Sequence, residues 1–282
     1  MKANPAQSAK GPARSTTGWL FFALPCLSVL LFAQFPPLQA QPAATNHVLE
    51  LDGTRGYVEL PPDVFNDLTE ATVEAWVRWD DFHGPFKRVL NYGDARSDLS
   101  ISTREDSANL VFFLGDSEKV LHTVEIPNVL RTQQWCHVAA VSGPGGMKLF
   151  LNGALAGTND YTGSFAGLKN GNRFYLGETV TTNDPPSNFK GAIDEVRVWK
   201  VARTQAQVNE TMFRRLTGTE PGLAALWNFD NVENGVVRDS GPGAFHGKLV
   251  GSAKVLPGET PASMTSARMS KVLQLDGTNS FV

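Results

Sequence analysis

The sequence predicts an all-β fold of two antiparallel layers, and three observations carry the prediction. Short runs that alternate apolar and polar residues recur from His47 onward, and a period of two marks half-buried strands. Turn-forming residues separate them: the chain holds 26 Gly and 17 Pro beside 17 Phe and 6 Trp, the mixture that short strands and tight turns use. No long stretch carries helical periodicity. At 282 residues the chain is long enough for one large sandwich with extra segments at each end.

Net charge is −3, too little of either sign for a nucleic-acid surface or an acidic solvating tail. Residues 1–18 are polar and carry Lys2, Lys10 and Arg14. Trp19 to Phe35 is almost wholly apolar, and Ala40 is a small residue at a cleavage-like position. Residues 1–40 therefore predict a secretory signal peptide. The alternative, an uncleaved anchor, is disfavoured because the run is short of the roughly 20 residues that span a bilayer and Pro25 interrupts it. Of the two cysteines, Cys26 lies in that segment, which leaves Cys136 alone. A disulfide-stapled fold is excluded, and stability must come from a large core.

The elements follow in order. Val48 to Leu60 reads as a hairpin turning on Asp52-Gly53, stopped by Pro61-Pro62. Ala71 to Trp79 alternates, with Val73, Ala75, Val77 and Trp79 on one face and Thr72, Glu74, Trp76 and Arg78 on the other. Arg88–Tyr92 and Leu99–Ser102 are strands, as are Asn109–Leu114 and Val120–Val124. Trp135 to Val141 is a heavily buried strand, and Met147 to Ala156 is a hairpin on Asn152-Gly153. Arg173–Gly177 is a strand, followed by the polar loop 178–188. Thr204 caps one helix, expected to run to Arg215. Leu223–Phe229 and Gly247–Gly251 are the last strands, and residues 257–271 are linker-like in composition.

Phe189 to Trp199 organises the chain. Strict alternation places Ile193, Glu195, Arg197 and Trp199 on one face and Asp194, Val196 and Val198 on the other. Apolar residues on both faces mean that both are covered. Glu195 and Arg197 can satisfy each other; Asp194 needs backbone N–H groups or a cation, because a buried unpaired charge is costly.

Val272 to Val282 repeats the pattern of Val48 to Val58, including Leu-Asp-Gly, which predicts an array of like domains. The expected organisation is a domain over 46–256, a linker over 257–271, and the opening of a second copy over 272–282. On that reading the sequence is the front end of a larger multidomain protein.

Four segments together resemble the laminin-G-like (pentraxin-like) domains of the concanavalin A-like lectin/glucanase superfamily. They are Leu51-Asp52-Gly53 with Tyr57-Val58; Thr72 to Val77; Trp135 to Ala139 with Phe150 to Gly153; and Gly191 to Trp199. The resemblance implies a two-sheet antiparallel jelly roll over roughly 46–203, extended to about 256 by the last strands. It also implies an extracellular module for recognition or adhesion, binding a glycan or a protein, often with calcium.

Catalytic readings are weaker. Glycoside hydrolysis needs two carboxylates flanking one bond, and adjacent Asp194 and Glu195 on a regular strand point apart. Cys136 reads as a small buried residue and His137 as a hydrogen-bonded core histidine. For calcium, which takes oxygen ligands on loops, the candidates are Asp52, Asp194, Asn183 and Asp184. For stacking on a sugar, the candidates are Trp79, Tyr92 and Tyr161, near Phe82, Phe86 and Phe165; Trp76 and Trp199 read as core. Asn209-Glu210-Thr211 fits a glycosylation triplet. The expected function is a non-catalytic extracellular recognition module, secreted or in the cell envelope. The alternative is an accessory or sensor ectodomain of a carbohydrate-active enzyme or signalling protein.

Overall fold

The computed structural model describes residues 45–94, 97–168, 173–181 and 188–261. The strands are β1 (His47–Asp52), β2 (Tyr57–Glu59), β3 (Ala71–Trp79), β4 (Leu90–Asp94), β5 (Ser97–Ser102) and β6 (Leu110–Gly115). They continue as β7 (Leu121–Ile126), β8 (Trp135–Ser142), β9 (Met147–Leu151), β10 (Ala154–Asn159), β11 (Arg173–Leu176) and β12 (Lys190–Trp199). The single α-helix among the described residues, α1 (Gln205–Thr211), precedes β13 (Leu223–Trp227), β14 (Val232–Glu233), β15 (Val236–Val237), β16 (Gly247–Val250) and β17 (Lys254–Pro257). Two antiparallel sheets result. One runs β10-β9-β8-β3-β12-β1-β17, with β13 also on β12; the other runs β14-β15-β16-β2-β11-β4-β5-β6-β7.

The core lies between the sheets. Val73, Ala75, Val77 and Trp79 of β3 face Tyr92, Leu99, Phe112 and Phe174 of the other layer within one buried cluster. The alternation read from β3 is therefore the inward–outward alternation of a packed sheet. Asn152-Gly153 does form a hairpin, pairing Leu151 with Ala154. Asp52-Gly53 does not. β1 pairs with β12 and β17 while β2 pairs with β11 and β16, so this turn is a corner between the sheets. Leu49 and Leu51 enter the core from one layer, Val58 and Leu60 from the other. The apolar pattern is the same for a corner as for a hairpin.

β12 is central, as its two-faced apolar pattern requires, but it is not regular. The register with β3 shifts between Asp194 and Arg197, and Glu195 has φ 51°. This is a β-bulge. Ile193, Val196 and Val198 all reach the core, whereas Asp194 and Arg197 join Glu74 and Trp76 on the outer face. The bulge overturns the face assignment that strict alternation gives for Asp194 against Arg197. At the start of the strand Gly191 adopts φ 145°, and a Cβ there would fall 2.0 Å from the Arg78 carbonyl oxygen. Only glycine fits that approach.

Residues 200–216 form a strap across the outer face. Thr204 caps α1 in a capping box with Gln207. The helix ends at Thr211, short of Arg215, because the chain turns to deliver its carbonyls to the sheet. Trp76 Nε1 donates to Met212 O at 2.8 Å, and Val208 packs on Ala139, Val141 and Phe150. At the far end the fold runs on past β17: Thr260 is buried and bonds to Asp194.

Candidate functional site

Two of the three aromatic ligand candidates are core residues. Trp79 and Tyr92 are both 0 % exposed. Tyr92 packs on Phe65 at 4.5 Å, donates to the Leu168 carbonyl, and has its phenol pushed up to about 12, chiefly by burial. Both sit at strand positions whose parity turns them inward, so no ligand stacks on them. Phe165 is likewise core, and Phe86 lies under Arg88 against Phe113. Tyr161 is at the rim, but its ring is already stacked. His122 lies parallel to it at 3.5 Å and is held by Asp116 at 2.9 Å. On Gly163 an added Cβ would come within 2.2 Å of the same ring.

The acidic candidates do not converge. Asp52 faces Lys190 in the β1–β12 register, four positions along β12 from Asp194. Its Oδ1 accepts from Thr54 N, Thr54 Oγ1 and Ser252 Oγ, the pattern of a turn residue satisfying its own loop. Asn183 and Asp184 lie outside the described residues.

Asp194 is different. It is fully buried, and among the described residues no cation pairs with it. Oδ1 accepts from Glu195 N, and Oδ2 accepts from Asn46 Nδ2 at 3.0 Å and Thr260 Oγ1 at 3.1 Å. Burial, with the Glu195 carboxylate nearby, pushes its carboxyl up to about 8. Asn46 Nδ2 has two protons but faces three oxygens: Asp194 Oδ2 and Gly258 O at 3.0 Å each, and His47 O at 3.4 Å. Asn46 Oδ1 is buried with no partner. An oxygen-rich ring around one amide nitrogen, beside an orphaned acceptor, fits a hard cation.

Beside it lies a buried ionic cluster. Arg197 uses all five donors. Nε and Nη2 reach Glu195 Oε2, Nη1 reaches Glu74 Oε1 and Thr211 O, and Nη2 also reaches Arg214 O. Arg203 binds both Glu74 oxygens and the Gln207 carbonyl while stacking on Trp199 at 3.9 Å. The cluster fastens the strap by its carbonyls. His137 is inside it but not hydrogen-bonded, contrary to the sequence expectation: neither ring nitrogen has a partner, and Glu74 Oε2 is 4.0 Å away. Burial holds its imidazole down to about 4, so it is neutral near pH 7. Glu195 and Asp194 are 1 % and 0 % exposed. Their inaccessibility, rather than opposite facing, is what keeps a glycosidic bond from them.

The outer face of the nine-stranded sheet is the candidate binding surface. One register row crosses it: Lys248, Glu59, Tyr175, Asn91, Ser100, Phe113, Thr123. Its middle is covered, with Val180 N on Asn91 Oδ1 and Phe86 on Phe113. Its β16-β2-β11 end is open. There Tyr57 and Tyr175 meet edge to face at 5.0 Å, both partly exposed, and neither hydroxyl has a partner among the described residues. Sequence reasoning overlooked this pair, although Tyr57 and Glu59 alternate with Val58 and Leu60, and Tyr175 alternates with Phe174 and Leu176. That parity alone turns both tyrosines outward.

Comparison with known proteins agrees with this architecture. Pappalysin-1 of Mus musculus is 29 % identical over 196 residues, covering 64 % of the chain, and the human protein is 26 % identical over 197 residues. The chain spans about 12 % of the length of these relatives. Among solved structures, a Bacteroides ovatus protein described as a candidate carbohydrate binder superposes with a TM-score of 0.59 at 21 % identity, covering 77 % of this chain and 61 % of that one. A carbohydrate-binding module of a Ruminococcus gnavus sialidase, bound to α2,3-sialyllactose, gives 0.50 at 15 % identity, covering 58 % and 95 %. The family model described as the concanavalin A-like lectin/glucanases superfamily, in its third laminin-G class, matches residues 52–209, and the chain belongs to that family.

Proposed function

We propose that this chain is a non-catalytic extracellular recognition module that binds a glycan on the open end of its nine-stranded sheet. The Tyr57–Tyr175 pair carries the reading: two partly exposed rings, whose hydroxyls have no partner among the described residues, offer both a stacking surface and hydrogen bonds, which a sugar uses together. The apolar run before Ala40 supports export, and among the described residues no helix is long and apolar enough to cross a membrane. The short span against pappalysin-1 supports a place within a larger multidomain protein. An accessory or sensor role beside an enzymatic or signalling domain is the second reading, favoured by the sialidase-borne module among its structural neighbours.

Calcium belongs to the proposal at Asp194 rather than at Asp52. Asp194 and Asn46, with the His47 and Gly258 carbonyls, would hold it and clasp the two ends of the domain. Because Asp194 holds a proton up to about pH 8, binding would release protons near neutrality. Retention on a glycan array, lost in Y57A/Y175A, tests the main reading; retention that survives the double substitution refutes it. Calorimetry with calcium in buffers of differing ionisation enthalpy tests the clasp. D194N should abolish both the heat and the proton release, and D52N should change neither.

A further inference from the structure

Two turns share a sequence and a backbone conformation. Asn152-Gly153 joins β9 to β10, and Asn234-Gly235 joins β14 to β15. The first pair has φ 49° and 78°, the second 52° and 77°, left-handed at both residues as a two-residue hairpin turn requires. Their surroundings differ. Asn152 Oδ1 accepts from His137 N at 2.9 Å, and Asn152 N donates to His137 O at 2.8 Å. The strap lies over Gly153, where a Cβ would run into Asn209 Oδ1 and Met212 Sδ. Five residue pairs of the β9–β10 ladder stand behind the turn. The other turn is held lightly. β14 and β15 exchange two residue pairs at the edge of the nine-stranded sheet, and Arg238 N closes the base on Asn231 O at 3.1 Å. Asn234 is exposed, and its side chain forms no hydrogen bond among the described residues. Open space surrounds the place where a Cβ on Gly235 would stand. The Gly235 carbonyl accepts from Leu249 N at 2.8 Å, which ties the turn to β16. Asn170-Gly171, a third such pair, lies outside the described residues.

We propose that Asn234 is a site of spontaneous covalent modification, deamidation through a cyclic imide, and that the fold shields Asn152 from the same reaction. The main-chain nitrogen of Gly235 gives its proton to solvent base and bonds to Asn234 Cγ. The Cγ–Nδ2 bond breaks and ammonia leaves. Water then opens the five-membered imide at either carbonyl, giving aspartate or an isoaspartyl link whose main chain runs through Cβ and Cγ. Water enters, ammonia departs, and nothing is oxidised or reduced. Both turns offer a glycine nitrogen that no Cβ obstructs. Ring closure needs the side chain to swing onto that nitrogen, which the hairpin conformation permits only on local opening. At Asn234 opening breaks two edge pairs and the tie to Leu249. At Asn152 it breaks both bonds to His137 and displaces the strap. The product carries a new carboxylate. Its isoaspartyl form also lengthens the turn by one main-chain atom, which loosens the β14–β15 ladder.

The test incubates the full chain in mildly alkaline buffer, folded and in denaturant. Fragment-ion mass spectrometry locates each conversion of amide to acid, and isoaspartyl methyltransferase labels the rearranged product. In the folded chain Asn234 should convert at least about tenfold faster than Asn152, and in denaturant the two rates should converge. R197M, which loosens the strap, should speed conversion at Asn152 and leave Asn234 unchanged. N234Q should remove the signal from its own peptide. Equal rates in the folded chain, faster conversion at Asn152, conversion of Asn234 in denaturant alone, or a signal that persists in the N234Q peptide would each overturn the assignment.

Discussion

Replacing Arg197 with methionine probes the bond between strap and sheet. Arg197 is 0 % exposed and spends all five N–H groups on Glu195, Glu74 and the carbonyls of Thr211 and Arg214. Methionine fills much of the volume but leaves the Glu195 carboxylate buried without its cation and two carbonyls without donors. Removing one partner of a buried ion pair costs about 3–5 kcal/mol, a large part of the 5–15 kcal/mol typical of a folded domain. For a domain of this size that lowers Tm by roughly 10 °C. Guanidinium melts at pH 7 should show a lower midpoint at unchanged slope, and the amides of residues 205–216 should lose protection from hydrogen exchange. The companion variant E195Q/R197M removes the stranded charge and should recover at least ~1 kcal/mol of the loss. A single-variant loss below ~1 kcal/mol, or strict additivity in the pair, would refute the idea that this cluster holds the strap down.

Four further outcomes follow. With chelator present, Asp194 keeps its proton up to about pH 8 when folded against an ordinary 3.8, so its contribution is full below pH 3.8 and falls as pH rises towards 8; D194N should flatten that decline in urea melts. His137 acts oppositely: it stays neutral down to about 4 against an ordinary 6.5, so stability should drop as pH falls from 6.5 to 4, and H137F should remove that acid-side slope. W79A, which empties a fully buried site, should cost about 3–5 kcal/mol and melt early, whereas Y175A should cost much less while losing glycan retention; equal melting of the two would contradict their different placement. G191A should destabilise through collision with the Arg78 carbonyl, seen as a lower melting midpoint, and a neutral result would show that β12 can shift.

Much of the scaffold was legible in the residues. Period-two alternation in Ala71–Trp79 and the two-faced apolar run of Phe189–Trp199 specified strands, inner faces and a central position, because side-chain parity is a local property of extended backbone. Thr204 and Gln207 specified the start of α1 for the same reason: a capping box closes within four residues. Tyr57 and Tyr175 are as readable as Val58 and Phe174, because the parity that turns the latter pair inward turns the former outward.

Other features needed the assembled chain. Whether Asp52-Gly53 closes a hairpin or a corner depends on partners more than 100 residues away, since β1 finds β12 and β2 finds β11. The bulge at Glu195 is invisible to alternation, because one inserted residue changes no composition yet brings Asp194 and Arg197 to one side. The ring of oxygens around Asn46 joins residues 46, 47, 194 and 258, and the Glu74–Arg197–Arg203 cluster joins β3, β12 and the strap. Burial of a charge, and hence its protonation, is set by what packs over it from elsewhere in the chain. Alternation sets which side of a regular strand a residue occupies, but only the closed sandwich decides where that regularity breaks and whether the side meets water, a partner charge or the core.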